Sequence, residues 1–210
     1  DIWYPRKLAE MTAVMEQHPE IKLLACDYRV LYESGALKAT VYKKTPAETQ
    51  GLITRYGFTK HFFMNPYPGC TYAVRRDFFD AVKELWFDGS PHDEFLWLMA
   101  AVQDGAWFYN RVLMDYVRYS DNASGVRYKD VALQKENLRY IHKQLCALQS
   151  FAAEHPDAVP VERCKMLAAA QIWCAKRQKL METRSPLRWL ALAPWWGYYN
   201  CLLYTSPSPR

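Results

Sequence analysis

The chain lacks the features of a membrane-spanning, secreted or disulfide-rich protein. Among its 210 residues no apolar run approaches the roughly 18 to 20 residues that span a bilayer, because proline and glycine interrupt the longest candidate, 189–199. The first residues have neither the basic start nor the apolar stretch of a signal peptide, and the absence of an initiator Met suggests that a preceding segment is missing. The six cysteines include no Cys-x-x-Cys pair, which favours reduced thiols in a cytoplasmic protein and argues against a zinc site.

Most of the chain also lacks an excess of either charge. The 27 Lys and Arg against 22 Asp and Glu give a net charge of +5, but residues 1–159 are nearly neutral and the excess follows residue 160. The main body is therefore not a polyanion binder, and we expect no nucleic-acid partner. With 50% hydrophobic and 23% charged residues, the composition excludes disorder and suits one ordinary globular domain or two small ones.

Hydrophobic periodicity and turn signals alternate between helices and strands over residues 1–125, which predicts an α/β fold. In the first helix Leu8, Met11 and Met15 share one predicted face, and in the helix over 90–105 the apolar residues Phe95, Leu98, Met99 and Val102 recur at i, i+3, i+4 and i+7. The predicted elements are a helix over 5–18, a buried strand over 21–26, a hairpin over 29–44, a helix over 45–57, a strand over 70–75, helices over 77–86 and 90–105, and strands over 106–109 and 112–119. The helix over 45–57 is predicted from the capping box Thr45-Pro46-Ala47-Glu48.

Asp27 directly follows the continuously apolar run over 21–26, the pattern of a strand covered on both faces. Ligands gather at the carboxyl ends of strands in open α/β sheets, so Asp27 is a candidate substrate contact. The alternative is a surface acid at the start of the following hairpin.

From residue 126 onward the apolar spacing becomes helical. Two stripes separated by a proline-bounded break predict a helical hairpin over 126–200, appended to a first domain over 1–125. The stripes are Leu138, Ile141, Leu145, Leu148 and Ala152, then Met166, Ala170, Trp173 and Leu180. Residues 201–210 change abruptly to a Ser- and Pro-rich composition that resembles a translated sequencing adapter, so we interpret them as a non-native tail.

The segment Ser90-Pro91-His92-Asp93-Glu94 places a histidine and two acids where a loop becomes a helix. One interpretation is structural: Ser90 caps the helix, and both acids lie in its first turn, where the helix dipole favours negative charge. The same dipole would hold the Asp93 carboxylate in its charged form, which a general base requires. Both interpretations remain open from spacing alone.

Four segments resemble, in order and with plausible spacing, motifs of the family two glycosyltransferases. They are Asp1-Ile2-Trp3-Tyr4-Pro5-x-Lys7-Leu8, similar to Asp-x-Asp-Asp-Ile-Trp-x-Pro-x-Lys-Leu; Pro68-Gly69-Cys70-Thr71-x-Ala73-x-Arg75-Arg76, similar to a glycine-containing strand and following helix; His92-Asp93-Glu94-Phe95, similar to a His-Asp-Trp catalytic segment; and Tyr116-x-Arg118-x-x-x-Asn122-x-Ser124-Gly125, similar to Tyr-Arg-x-His-x-x-Asn-x-Ser-Gly. The resemblance is strongest to the rhamnosyltransferase-like branch that builds bacterial surface polysaccharides. It implies a truncated GT-A domain, with a Rossmann-like mixed sheet, that lacks its nucleotide-binding N-terminal half.

This resemblance implies an inverting transfer of a sugar from a nucleotide-sugar donor to a hydroxyl of a glycan or lipid-linked acceptor. By match to the His-Asp segment, Asp93 would accept the proton of the attacking hydroxyl, with His92 and Glu94 bordering the acceptor. Gly69 would let the backbone approach the sugar, with Cys70 and Thr71 lining that floor, although a turn glycine is an alternative.

The family neutralises the leaving diphosphate with Mg²⁺ or Mn²⁺ held by the Asp-x-Asp carboxylates. Asp1 matches only the last aspartate of that signature, so the resemblance implies that the main metal ligands precede this chain, which alone would be inactive. Tyr119 stands where the family often has a histidine near the metal or diphosphate; a phenol can donate to a phosphate but is a poor Mg²⁺ ligand.

Residues 184–199 combine arginines with tryptophans and tyrosines. Such a segment is typical of a peripheral contact with an anionic leaflet, which would place the protein at the inner face of the cell membrane beside a lipid-linked acceptor. Equally, these aromatics would pack against the helical hairpin. The competing overall hypothesis is a noncatalytic carbohydrate-binding or membrane-peripheral scaffold in which Ser90 and Asp93 only cap a helix.

Overall fold

The computed structural model of the chain describes residues 1–32, 37–38, 51–59, 67–119, 131–183 and 186–198. The chain divides into two compact units. The first comprises 1–57, 65–84 and 92–125, and the second comprises 58–64, 85–91 and 126–210.

The first unit is built on a mixed sheet, so the prediction of an α/β fold is confirmed. Its strands are β1 (Ile2–Trp3), β2 (Leu23–Tyr32), β3 (Leu37–Lys38), β4 (Ile53–Arg55), β5 (Tyr72–Val74) and β6 (Ala106–Arg118). The long strands β2 and β6 are parallel and form the centre. The four short strands run antiparallel to them: β1 and β4 pair with β6, while β3 and β5 pair with β2. The antiparallel pairing of β2 with β3 confirms the part of the predicted hairpin that is described, while 33–36 and 39–44 lie outside the described residues.

The helices of the first unit are α1 (Lys7–Gln17), α2 (Arg76–Val82) and α3 (His92–Val102), with a short 3-10 turn at Gly69–Thr71. A second 3-10 turn at Lys83–Leu85 follows α2, and its last residue belongs to the second unit. Both α1 and α3 contact the central strands. The predicted apolar face of α3 is buried: Phe95, Leu98, Met99 and Val102. Trp97 is buried as well and packs among Tyr56, Tyr67 and Tyr72, so the core of this unit lies beneath the helix that carries Asp93.

The predicted end of the buried strand at Asp27 is wrong, because β2 continues to Tyr32. Past Asp27, Tyr28 and Val30 are buried whereas Arg29 is exposed. Buried and exposed side chains therefore alternate, as in a strand with one face in the core and one face in solvent. The strand end was predicted from the continuously apolar run alone, which stops before this alternating part. The register with β6 shifts on both sides of Asp27, so the residue lies at an irregularity in mid-strand.

Two other predicted elements differ from the structure. Ile53–Arg55, expected inside a helix, forms β4, and the capping-box residues 45–48 lie outside the described residues. The two strands predicted after residue 105 are the single strand β6. Asn110 lies in β6 and is buried. Its backbone N–H donates to the carbonyl of Leu52, and its carbonyl accepts a hydrogen bond from the N–H of Gly51. Long-range pairing thus overrides local turn and capping signals.

Met11 and Met15 of α1 are buried as predicted, but Leu8 is 62% exposed. The buried position belongs instead to Lys7, which is 1% exposed and precedes Met11 and Met15 at helical spacing of four residues. The prediction for Leu8 is therefore wrong by one residue, because apolarity alone did not identify a buried cation.

The second unit contains α4 (Val131–Glu154), α5 (Val161–Thr183), α6 (Pro186–Leu190) and a 3-10 turn at Ala193–Tyr198. The stripe predicted on α4 is buried along its whole length: Leu138, Ile141, Leu145, Leu148 and Ala152. Helix α5 contacts α4, and the stripe predicted on it is buried only in part: Ala170 and Trp173 are buried, whereas Met166 and Leu180 are half-buried. In the described part of the chain no helix combines the length and the apolarity needed to cross a bilayer.

Candidate active site

Asp93 lies in the first turn of α3, where the unpaired N–H groups of the helix favour a carboxylate. Its Oδ1 accepts a hydrogen bond from the backbone N–H of Glu94 at 2.9 Å. The side chains of Asp93 and Glu94 are half-buried, and that of His92 is exposed. Ser90, the predicted cap, belongs to the second unit, where its hydroxyl accepts a hydrogen bond from Gln144 Nε2 at 3.1 Å.

Gly69 contacts Asp93 directly. The backbone N–H of Gly69 donates to Asp93 Oδ2 at 3.1 Å. A Cβ added at Gly69 would lie 2.7 Å from Asp93 Cβ and 3.3 Å from His92 Nε2, which is too close for any side chain. Only glycine permits this approach without displacing the start of α3. The structure therefore brings together three of the predicted site residues, Gly69, His92 and Asp93.

The turn Gly69–Thr71 carries the other two residues of the predicted sugar floor. Thr71 is fully buried, and both its N–H and its hydroxyl donate to the carbonyl of Pro68, at 2.9 and 2.8 Å. These two bonds to the carbonyl of Pro68 close the turn. Cys70 is half-buried, and burial raises the pKa of its thiol while the nearby Lys7 ammonium opposes this effect.

Asp27 lies beside this turn rather than at a strand end. Because β5 is antiparallel to β2 with Tyr72 opposite Ala25, the turn that precedes Tyr72 lies next to the irregular middle of β2. Asp27 is 6% exposed, and its Oδ1 accepts a hydrogen bond from the N–H of Tyr28 at 2.9 Å. Its contact with substrate stays a prediction.

Asp1 and Tyr119 both lie at the carboxyl end of β6. Asp1 Oδ1 accepts a hydrogen bond from the N–H of Val117 at 3.2 Å, and Tyr119 directly follows the strand with an exposed side chain. Hard divalent cations take about six oxygen ligands. Across the described residues, no three His, Cys, Asp or Glu side chains are grouped as metal ligands. Binding of Mg²⁺ or Mn²⁺ stays a prediction.

Sequence reasoning missed a hydrogen-bonded cluster that joins β1, β2 and β6. Asp115 Oδ1 accepts from the Tyr4 hydroxyl at 2.8 Å and from Arg29 Nε at 2.8 Å, and its Oδ2 accepts from Arg29 Nη2 at 3.1 Å. The bonds from Arg29, supported by Tyr4, lower the pKa of the Asp115 carboxyl against the opposing effect of burial. Nothing in the spacing of these residues indicated the cluster, because β1 meets β6 only through tertiary pairing.

Lys7 is a matched position of the first motif, but the sequence predicts no role for it. Its Nζ donates to the carbonyl oxygen of Cys70 at 2.5 Å, lies 3.6 Å from Met114 Sδ, and sits 3.9 Å from the centre of the Trp3 ring. Burial lowers the pKa of this ammonium group. Its spacing from Met11 and Met15 was the signal that could have identified it as a core-facing residue.

The basic and aromatic segment 184–199 is described in part. Leu187 and Leu190 of α6 are exposed together with Arg188, whereas Leu192 is buried. Arg184 and Tyr199 lie outside the described residues. Contact of this segment with a membrane stays a prediction.

Comparisons with protein-family models, with curated proteins and with solved structures found no match. The glycosyltransferase family thus stays a prediction from the four motifs. The meeting of the Gly69 and Asp93 motifs is a separate, geometric observation, since the two residues are 24 positions apart in the chain.

Proposed function

We propose that the chain is the acceptor-side part of an inverting, GT-A-type glycosyltransferase of family two. It would move a sugar from a nucleotide-sugar donor to a hydroxyl of a cell-surface polysaccharide or lipid-linked acceptor. The observation that carries the proposal is the hydrogen bond from Gly69 N–H to Asp93 Oδ2, because it joins two of the motifs that suggested this chemistry. The helices after residue 126 and the segment 184–199 would form an accessory, membrane-facing part on the cytoplasmic side.

In this proposal Asp93 is the general base. A carboxylate has about four lone-pair positions, and the N–H groups of Gly69 and Glu94 occupy two of them. These two backbone donors fix the orientation of the carboxylate and leave it able to accept a proton. Since the acceptor hydroxyl becomes acidic only as its oxygen bonds to the anomeric carbon, a fixed position matters more than high basicity.

The reaction would be an in-line displacement. The acceptor oxygen bonds to the anomeric carbon, the bond from that carbon to the diphosphate oxygen breaks, and the hydroxyl proton passes to Asp93. The configuration at the anomeric carbon inverts because a single displacement takes place. His92, exposed beside Gly69, would hydrogen-bond the acceptor together with Glu94. The donor diphosphate would lie toward Asp1 and Tyr119.

The test is Asp93→Asn in the full-length protein, screened against nucleoside diphosphate hexoses with a divalent cation and with EDTA. Removal of a general base lowers the rate about 10²- to 10⁴-fold. The matched control is Asp77→Asn, because Asp77 lies in the first turn of α2 and accepts the N–H of Phe78 at 2.7 Å in the same local geometry. We expect the control to keep full activity.

A noncatalytic scaffold is the second candidate, and the bond from Glu94 N–H to Asp93 supports it because a helix-starting aspartate makes this bond without any catalytic role. It predicts that Asp93→Asn lowers stability as much as Asp77→Asn does, while no donor is ever consumed. The reading frame upstream of Asp1 is a further test. The enzyme requires an Asp-x-Asp-Asp signature ending at Asp1, preceded by alternating strands and helices.

A further inference from the structure

Lys7 is a buried cation on the core-facing side of α1. It is 1% exposed, and the ion pairs between described residues do not include it. Removing an ammonium group from water is unfavourable unless hydrogen bonds or an opposite charge compensate. Its neighbours on the buried face of α1 are Met11 and Met15, so a methionine at this position would continue the apolar stripe.

One contact of Lys7 reaches the turn Gly69–Thr71. Its shortest contact is the bond from Nζ to the carbonyl of Cys70, whereas the ring of Trp3 in β1 and the sulfur of Met114 in β6 lie farther from the ammonium group. A bond from a charged donor is stronger than one between neutral groups. Lys7 therefore fixes the position of the Cys70 carbonyl.

The turn Gly69–Thr71 that Lys7 contacts is also hydrogen-bonded to Asp93. The Gly69 N–H that donates to Asp93 belongs to the residue preceding Cys70, and the Thr71 N–H bonded to the Pro68 carbonyl closes the turn around both. A movement of the Cys70 carbonyl would thus be carried to the Gly69 N–H within a single closed turn.

We infer that Lys7 is a positioning residue for Asp93, acting through the turn Gly69–Thr71. Its kinetic consequence depends on the proposed glycosyltransferase function, whereas its structural consequence, the geometry of the Gly69–Asp93 bond, does not. Lys7 touches neither the acceptor nor the reacting atoms in this scheme. It sets the orientation of the group that does.

The variant Lys7→Met in the full-length protein tests the inference, with Lys22→Met as the control. Lys22 is half-buried, and burial lowers the pKa of its ammonium group, as it does for Lys7. Its Nζ, however, donates to the side chain of Gln103 and not to the turn. The first measurement is the amide proton shift of Gly69 by NMR. We expect Lys7→Met to move it upfield, in the same direction as Asp93→Asn does, and Lys22→Met to leave it in place.

The second measurement is kinetic. A small misplacement of a catalytic group lowers turnover up to about 100-fold, so we expect Lys7→Met to lower kcat about 10- to 100-fold with the KM for the donor unchanged. An unchanged Gly69 amide shift, or a kcat per folded molecule equal to that of the wild type, would overturn the inference. If Lys7→Met does not fold, Lys7→Gln keeps a shorter, neutral donor. An intermediate amide shift then supports the inference, and a wild-type shift overturns it.

The two proposals fail differently. If the wild-type protein transfers no sugar from any donor, the proposed function fails, and the Gly69 amide shift still decides whether Lys7 positions Asp93. If transfer occurs but Asp93→Asn leaves it unchanged, Asp93 is not the base and the kinetic consequence for Lys7 disappears with it. A normal amide shift beside a strong Asp93→Asn effect overturns the role of Lys7 alone.

Discussion

The backbone N–H of Gly69 donates a hydrogen bond to Oδ2 of Asp93 at 3.1 Å, across 24 positions of the chain. At the same place a Cβ on Gly69 would lie 2.7 Å from Asp93 Cβ. The glycine and the carboxylate are therefore a matched pair, since the bond requires an approach that a side chain at position 69 would prevent. Changes at either residue should affect the other.

The substitution Gly69→Ala should destabilise the protein by about 1–3 kcal/mol, because the new Cβ meets the rigid start of α3 rather than the flexible end of a side chain. Under the proposed function it should also lower transfer, since Asp93 must move. Denaturant unfolding measures the first effect, and initial rates per folded molecule measure the second.

Gly57→Ala is the control for Gly69→Ala, because no atom of the described residues lies within 4 Å of a Cβ added at Gly57. This variant should be neutral or gain up to about 1 kcal/mol through the lower entropy of the unfolded chain. Equal stability changes for the two alanine variants would contradict the close approach at Gly69.

Asp115→Asn should destabilise the protein by about 1–2 kcal/mol at neutral pH, because the bonds from Arg29 and Tyr4 to a charged acceptor are weakened. The pKa of Asp115 is lowered from its ordinary value of 3.8, so its carboxylate stabilises the fold above that pH. This contribution is lost as the pH falls through 3.8 toward the lower pKa of the folded state. The difference in unfolding free energy between wild type and variant should therefore shrink as the pH falls below 3.8.

The comparison for Asp115 is Asp80→Asn, which removes an exposed carboxylate paired with Arg76 and Lys83 on the surface of α2. Solvent screens such pairs, so little change is expected at either pH. An effect of Asp115→Asn that stayed constant from neutral to acid pH would show that the charge of Asp115 contributes nothing to stability.

The free thiols should differ strongly in reactivity. Burial raises the pKa of Cys26 to about 12 and that of Cys174 to about 11, whereas Cys146 is exposed. For Cys26 the thiolate fraction is about 1,000-fold smaller than for an ordinary thiol at the same pH, before access is considered. Iodoacetamide labelling of the native protein, followed by peptide mass mapping, should modify Cys146 first among the five cysteines that the structure describes. Modification of Cys26 at the same rate in folded protein would show that β2 is not buried.

Local signals predicted the part of the site that depends on one segment. The loop Ser90-Pro91 followed by two acids predicted a helix start, and α3 begins at His92 with Asp93 in its first turn. The apolar spacing of α3 predicted its buried face correctly. These features follow from backbone N–H groups and side-chain periodicity within about ten residues, which the sequence contains in full.

Local signals failed where a distant strand supplied the partner. The apolar run that stops before Asp27 predicts a strand end there, yet β2 pairs with β6 for five residues further, to Tyr32. The capping box upstream of Ile53 predicts a helix, yet Ile53 pairs with β6 as part of β4. A ladder of several backbone hydrogen bonds outweighs a propensity difference of less than about 1 kcal/mol per residue.

The sequence by itself determined the α/β class, the position of α3 and the presence of an acid in its first turn, because these depend on interactions between near neighbours in the chain. Only the tertiary structure decided that Gly69 meets Asp93 and that Lys7 is buried against the Cys70 carbonyl. Both contacts depend on which strands pair and in which register, and register is fixed by burial and hydrogen bonding across the whole sheet.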